Sequence, residues 1–204
     1  MITDRRLEKL NRVAANRQNM TVIIENVHDP HNIGAVLRSC DAVGIQEVYV
    51  LYTESRLSQS RLNELDPTST GVRKWMHVHF FDDVDACFTV VRSKYDKVLA
   101  THLNDESVGL HELDLTQNVA ILFGNEHDGI SEEALKHTDG NFIIPQVGMV
   151  QSLNISVACA VTIYEAMRQR TEAGLYNDDL AENDTYRQGI LDHYTYKHKQ
   201  AYLK

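Results

Sequence analysis

Between Thr21 and Arg170 the chain alternates short, almost wholly apolar runs with stretches of helical spacing. TVIIE (21–25), EVYVL (47–51), KWMHVHFF (74–81), KVLATH (97–102), NVAILF (118–123) and NFII (141–144) read as strands. Between them, 32–43, 82–91, 131–136 and 152–170 place apolar residues at helical intervals. Strands that are apolar on both faces and alternate with helices are buried on both faces. The expectation is an α/β fold: a mostly parallel sheet of about six strands with helices on both faces.

Local signals place the ends of these elements. Ile33, Val36, Leu37 and Cys40 form one stripe, and Gly44 stands where a helix of this length needs its C-terminal cap. Asp82, Asp83 and Asp85 sit where a helix amino terminus favours acids. Pro145 stops the last strand. The helix from Ser152 is apolar almost all round in its first half, as expected of a helix buried against a sheet or against a partner. The segment 52–73 is polar, contains Pro67 and Gly71, and reads as a long connection with one helical turn. Residues 3–17 and 185–202 read as further helices. The chain divides into a basic helical arm (1–20), an α/β domain (21–171) and a polar, tyrosine-rich helical tail (172–204).

Composition excludes several classes. With 43% hydrophobic and 24% charged residues, the chain is neither disordered nor collagen-like. Its apolar runs are far shorter than the roughly 18 residues of a membrane span. The amino terminus is charged and lacks the apolar region of a signal peptide. Cys40, Cys87 and Cys159 are odd in number and far apart, as expected of reduced core residues in a cytoplasmic protein. The net charge is −9, but residues 1–20 carry +3 while 94–140 carry −7. A basic arm on an acidic body suits either an RNA binder or a solvated amphipathic helix.

In open parallel sheets, ligands sit at the carboxyl ends of the strands. Three segments that leave strand ends are rich in Asn, Gly, His and Asp: 25–38, 123–131 and 144–154. None contains a dinucleotide fingerprint, a P-loop or a nucleophile elbow. The pairs His28/His31 and His77/His79 read as hydrogen-bonded or solvated histidines, and no metal site is expected. Singly, each remaining polar residue has two readings. Asn32 suits a helix cap, Arg38 a pairing with Asp41 one turn on, and Ser152 and Asn154 caps of the last helix. Glu126 stands in a glycine-flanked loop. Function requires the three segments to converge at one end of the sheet.

Together the segments resemble the three motifs of the SpoU-type RNA 2′-O-methyltransferases of the SPOUT superfamily. ENVHDPHNIGAVLRSCDAVGIQEVYVL is similar to motif 1, LFGNEHDGIS to motif 2 and IPQVGMVQSLNISVACAVTIYEAMRQR to motif 3, in that order. RRLEKLNRVAANRQ and TSTGVRKWMHV further resemble the TrmH branch, which methylates the ribose of a guanosine in the tRNA D-loop. The resemblance implies a trefoil knot at the carboxyl end of the sheet, S-adenosylmethionine bound within it, and a homodimer. By the same resemblance Asn32, Arg38, Glu126, Ser152 and Asn154 are the catalytic set, with Arg38 the motif 1 arginine. Thr101, Gly124, Ile144 and Leu153 mark the cofactor loops.

Arg5, Arg6, Lys9, Arg12, Arg73 and Lys74 are the candidate phosphate contacts on tRNA. Trp75, beside them, suits either base stacking or the core. Two features depart from the pattern: His127 and Asp128 in motif 2, and a tail with six acids against four lysines and arginines. The alternatives are the same chemistry on ribosomal RNA or another tRNA position, and a non-catalytic RNA-binding member of the fold.

Overall fold

A computed structural model describes residues 2–54 and 71–201. In chain order the elements are α1 (Asp4–Ala15), β1 (Met20–Glu25), α2 (Pro30–Ala42), β2 (Glu47–Leu51), β3 (His77–Phe81), α3 (Val84–Arg92), β4 (Lys97–Thr101), β5 (Val108–Gly109), β6 (Val119–Phe123), α4 (Glu132–Leu135), β7 (Gly140–Ile143), α5 (Ile155–Glu172) and α6 (Thr185–Ala201). Short 3-10 turns cover Val72–Lys74 and Leu110–Glu112. Most of the long connection 52–73, and Tyr202 at the expected end of the last helix, lie outside the described residues.

The sheet has seven strands, not about six, in the order β3-β2-β1-β6-β4-β7-β5. Every pairing is parallel. The extra strand, β5, is two residues long and pairs with β7 at the edge. Two residues cannot display a period-2 pattern, so no sequence signal marks it.

Strand alternation sorts the core into two layers. Val22, Ile24, Val48, Val50, Ile121 and Phe123 face α2 and α5. Ile23, Tyr49, Leu51, Val98, Ala120 and Leu122 face α3 and α4. Cys40, Cys87 and Cys159 are free thiols buried in these layers. A third cluster joins the two ends of the chain: Leu10 and Ala14 of α1 pack on Ile190 and Tyr194 of α6. Arm and tail are thus packed on each other.

Helix starts follow their caps. Asp29 caps α2 by accepting from the His31 N–H, and Pro30 occupies the first turn, so α2 begins two residues before Asn32. Asp83 caps α3, Ser131 caps α4, and Asn154 caps α5, which starts at Ile155 and not at Ser152. Gly44 closes α2 at φ 87°, and a Cβ there would sit 2.3 Å from the Asn16 carbonyl oxygen. Only glycine satisfies both conditions.

Candidate active site

β6, β4 and β7 are neighbours, so the loops that leave them meet at one end of the sheet. Thr101–Leu103, Gly124–Gly129 and Phe142–Leu153 enclose a cleft of about 590 Å³, closed below by Ile155 and Ala158 of α5. That is within the usual range of about 300–1,000 Å³ for small-ligand sites. All four expected cofactor positions, Thr101, Gly124, Ile144 and Leu153, line it, as do Glu126 and Ser152.

The wall at 124–130 is a tight reversal. Asn125 and Gly129 exchange backbone hydrogen bonds of 3.1 and 3.2 Å. The buried Asn125 side chain accepts from the N–H groups of His127 and Asp128 at 2.8 and 2.7 Å. A Cβ on Gly124 would lie 2.1 Å from the carbonyl carbon and oxygen of Gly129. The loop backbone therefore crosses itself in contact, and Glu126 projects from its tip. Glu25, the last residue of β1, is completely buried and holds the loop's far end. Its carboxylate accepts from the Ser131 N–H at 3.0 Å and the Ser131 hydroxyl at 2.6 Å.

The three sequence motifs are joined through side chains. Asn32 Nδ2 donates to Glu126 Oε1, and Asn154 Nδ2 donates to Asn32 Oδ1 at 3.1 Å. Asn154 Oδ1 in turn accepts from the N–H and hydroxyl of Ser156 at 2.9 and 2.6 Å. The orientation of Asn32 follows from its neighbours, because an ionised carboxylate only accepts. So Asn32 is not a helix cap; it links the loop after β6 to the start of α5. Asn154 is both cap and link. Ser152 lines the cleft and caps nothing.

Arg38 stands on the exposed side of α2 and makes no ion pair among the described residues. The alternative pairing with Asp41 does not form, because Asp41 is held by Arg17 at 2.6 Å. Arg17, counted with the basic arm by sequence, is 1% exposed and bonds Tyr194, Ile45 and Asp41. It is an internal strut, as is Arg170, whose guanidinium bonds the carbonyls of Leu115, Asn19 and Gln117. Neither role has a sequence signal, since burial of an arginine depends on distant partners.

Of the remaining basic candidates, Arg5, Lys9, Arg12 and Lys74 are exposed and Arg6 is half-buried. Arg5, Lys9 and Arg12 line a groove on α1. Arg6 and Lys74 lie over the Trp75 ring at 5.5 and 5.1 Å, and Tyr194 meets that ring edge-on. Trp75 is thus occupied by protein groups and is not a base-stacking platform here. The backbone of Arg73 lies in the adjacent turn, and its side chain is outside the described residues. This patch sits before the start of β3, at the edge and end of the sheet opposite the cleft. His79 bonds Glu47 and His77 packs on His193. No group of three or more metal-ligating side chains occurs among the described residues. No helix there is long and apolar enough to cross a membrane.

The fold and the cleft define a class: an α/β protein that takes a small ligand at the carboxyl ends of parallel strands. A model described as the SpoU rRNA Methylase family matches residues 19–164, and the chain belongs to that family. It is 40% identical over 191 residues to the tRNA (guanosine(18)-2′-O)-methyltransferase of Thermus thermophilus, covering 93% of this chain and 96% of that one. It is also 40% identical to the Escherichia coli protein of the same name, over 84% of this chain and 71% of that one. The solved TrmH/SpoU tRNA modifying enzyme of A. aeolicus superposes with a TM-score of 0.81 at 33% identity, covering 97% and 98% of the two chains. The AviRb SpoU methyltransferase of Streptomyces viridochromogenes, solved with AdoMet, superposes at 0.68 with 25% identity over 76% and 62%.

Proposed function

We propose that the protein transfers a methyl group from S-adenosylmethionine to the ribose 2′-OH of guanosine 18 in the D-loop of tRNA. The observation that carries this reading is the end-to-end likeness to tRNA enzymes of that activity, with the three motifs linked side chain to side chain at one cleft.

The cleft suits the cofactor. Leu103, Ile143, Ile144 and Leu153 offer apolar surface, and the crossing at Gly124 leaves bare backbone on the wall. Thr101, Gly124, Ile144 and Leu153 hold the molecule, which supplies an electrophilic methyl on a sulfonium. The protein's own task is to orient a ribose hydroxyl, a poor nucleophile, in line with that methyl. Asn32, Glu126 and Asn154 fix the rim at which the ribose is placed, with Ser152 beside them on the cleft wall. Arg38 clamps the neighbouring phosphate and stabilises the developing alkoxide; a guanidinium stays protonated in proteins and makes a poor base.

Two further features belong to this reading. The tRNA backbone is met by Arg5, Arg6, Lys9, Arg12, Arg73 and Lys74. The protein works as a cytoplasmic homodimer. Val157, Val161 and Tyr164 form an exposed stripe on α5, and Val147 and Met149 are fully exposed on the loop before it, an apolar face that a second copy would cover. The carboxyl-terminal loops thread as a trefoil knot, with which the strand order β6-β4-β7 is consistent. The arm (1–20) and tail (172–204) flank the methyltransferase domain (21–171).

The test is methyl transfer from labelled S-adenosylmethionine to unmodified tRNA and, separately, to ribosomal RNA, with Arg38→Ala alongside. Label on a D-loop ribose of tRNA that disappears in the variant supports the reading. Label on ribosomal RNA alone moves the substrate, and no label on either RNA refutes the assignment.

A further inference from the structure

Glu25 is a buried acid behind the cleft wall whose chemistry the reaction leaves unused. It ends β1 with no exposed surface, and no ion pair to it exists among the described residues. A buried carboxyl group is costly unless its oxygens are hydrogen-bonded. Both oxygens of Glu25 are committed to one residue. Oε2 accepts from the Ser131 N–H at 3.0 Å and Oε1 from the Ser131 hydroxyl at 2.6 Å. That hydroxyl also accepts from the Ala134 N–H at 3.1 Å, which starts α4. Ser131 is therefore fixed from both sides.

The loop 124–130 is suspended between two anchors. At one end Gly124 is wedged beneath Gly129 and Ile130, with no space for a Cβ. At the other, Glu25 holds Ser131. Asn125 ties the interior by accepting from His127 and Asp128. Glu126 projects from this frame to meet Asn32. A shift at Ser131 moves Ile130 and Gly129, and through their contact with Gly124 it moves the Glu126 backbone.

We infer that Glu25 is a positioning residue for methyl transfer: through Ser131 it holds the 124–130 loop so that Glu126 meets Asn32 at the cleft. The inference rests on the methyltransferase reading above. Glu25 touches neither cofactor nor ribose and acts only through the loop. An amide in its place keeps the shape and the acceptor for the Ser131 N–H, but it faces the Ser131 hydroxyl with an NH₂, so that hydroxyl gives up its bond to Oε1 and must accept instead while it also caps α4.

The experiment compares Glu25→Gln, Ser131→Ala and their double variant with wild type, and places Glu25→Gln in a Glu126→Gln background. The readouts are single-turnover methyl transfer to tRNA and hydrogen exchange of the loop amides. Glu25→Gln and Ser131→Ala are each expected to slow transfer on the order of tenfold to a hundredfold, as small misplacements do. The double variant is expected to be no slower than the worse single one, and Glu25→Gln to cost less than about twofold once Glu126 is gone. Exchange of the amides of His127, Asp128 and Gly129 rises in each Glu25 or Ser131 variant.

A folded Glu25→Gln protein with wild-type rate and wild-type loop exchange overturns the inference. So do rate losses from Glu25→Gln and Glu126→Gln that simply multiply. If Glu25→Gln does not fold, Ser131→Ala carries the test, and an unchanged rate and exchange there overturn it. If the wild type transfers no methyl to tRNA, the reaction assignment fails. The exchange readout then decides separately whether Glu25 holds the loop.

Discussion

Asn32 Nδ2 donates to Glu126 Oε1 at 2.5 Å across a sequence separation of 94 residues. A charge-assisted hydrogen bond of that length ties the amino-terminal turn of α2 to the tip of the loop after β6. Because the two side chains act as a unit, their losses should not add. Asn32→Ala and Glu126→Ala are each expected to slow single-turnover methyl transfer on the order of a hundredfold. The double variant should fall only a few-fold further, by about the margin that separates coupled from independent sites. Rate losses that multiply in full would show that the contact plays no part in the reaction.

Gly124→Ala tests the crossing of the cleft wall. Its Cβ would meet the Gly129 carbonyl group at 2.1 Å, and both partners are backbone, so the loop must move. Overpacking of this kind costs about 1–3 kcal/mol. The variant should melt lower and bind S-adenosylhomocysteine at least about tenfold more weakly by calorimetry, since 1.4 kcal/mol is a factor of ten.

The arm's basic residues have two fates. Arg17 is buried against Tyr194 and Asp41, and Arg17→Ala should cost about 1–3 kcal/mol in urea unfolding, because the buried Tyr194 hydroxyl and Ile45 carbonyl lose their partner. Arg5→Ala and Arg12→Ala, at the surface, should change stability by less than about 0.5 kcal/mol. Each should instead weaken tRNA binding and reduce the slope of log affinity against log salt by about 0.7–0.9. Unaltered slopes would remove α1 from the RNA interface.

Glu47 sets an acid limit on stability. Burial alone would raise its pKa, but hydrogen bonds from His79, Lys94 and Tyr95 prevail and hold it at about 2, from an ordinary 4.5. In the unfolded chain the group takes up its proton near 4.5, whereas the folded protein resists until about 2. Its contribution is therefore complete above pH 4.5 and disappears as the pH falls towards 2. Urea titrations across that window should show wild type losing stability steadily. Glu47→Gln should be weaker at pH 7 and follow a flatter curve.

The apolar stripe on α5 makes the dimer testable. Val161 is 40% exposed in the single chain, between Val157 and Tyr164. Val161→Lys should shift sedimentation equilibrium from dimer to monomer without lowering the melting temperature of the isolated chain. A wild-type protein that sediments as a monomer at micromolar concentration would remove the dimer.

The order of elements was legible locally. The buried strands declare themselves as short continuous apolar runs, and Asp83 and Ser131 cap the helices they precede. The three polar segments at strand ends, and their likeness to one family, also needed nothing beyond the chain itself. The misjudged boundaries have local causes too: Pro30 starts α2 early, and Asn154 rather than Ser152 starts α5.

Partnerships between distant residues were decided elsewhere. Whether Asp41 pairs with Arg38 or Arg17, whether Trp75 stacks on RNA or on Arg6, and that Glu25 reaches Ser131 depend on which strands are neighbours. A residue's local pattern reports the faces it can bury; it says nothing of what lies across them. β1 pairs with β6, and β4 stands between β6 and β7, so loops distant in sequence meet at one end of the sheet. The sequence by itself determined the longer elements, their order and the chemical types available. Only the tertiary structure decided which amide meets which carboxylate, because that choice rests on strand order and long-range packing.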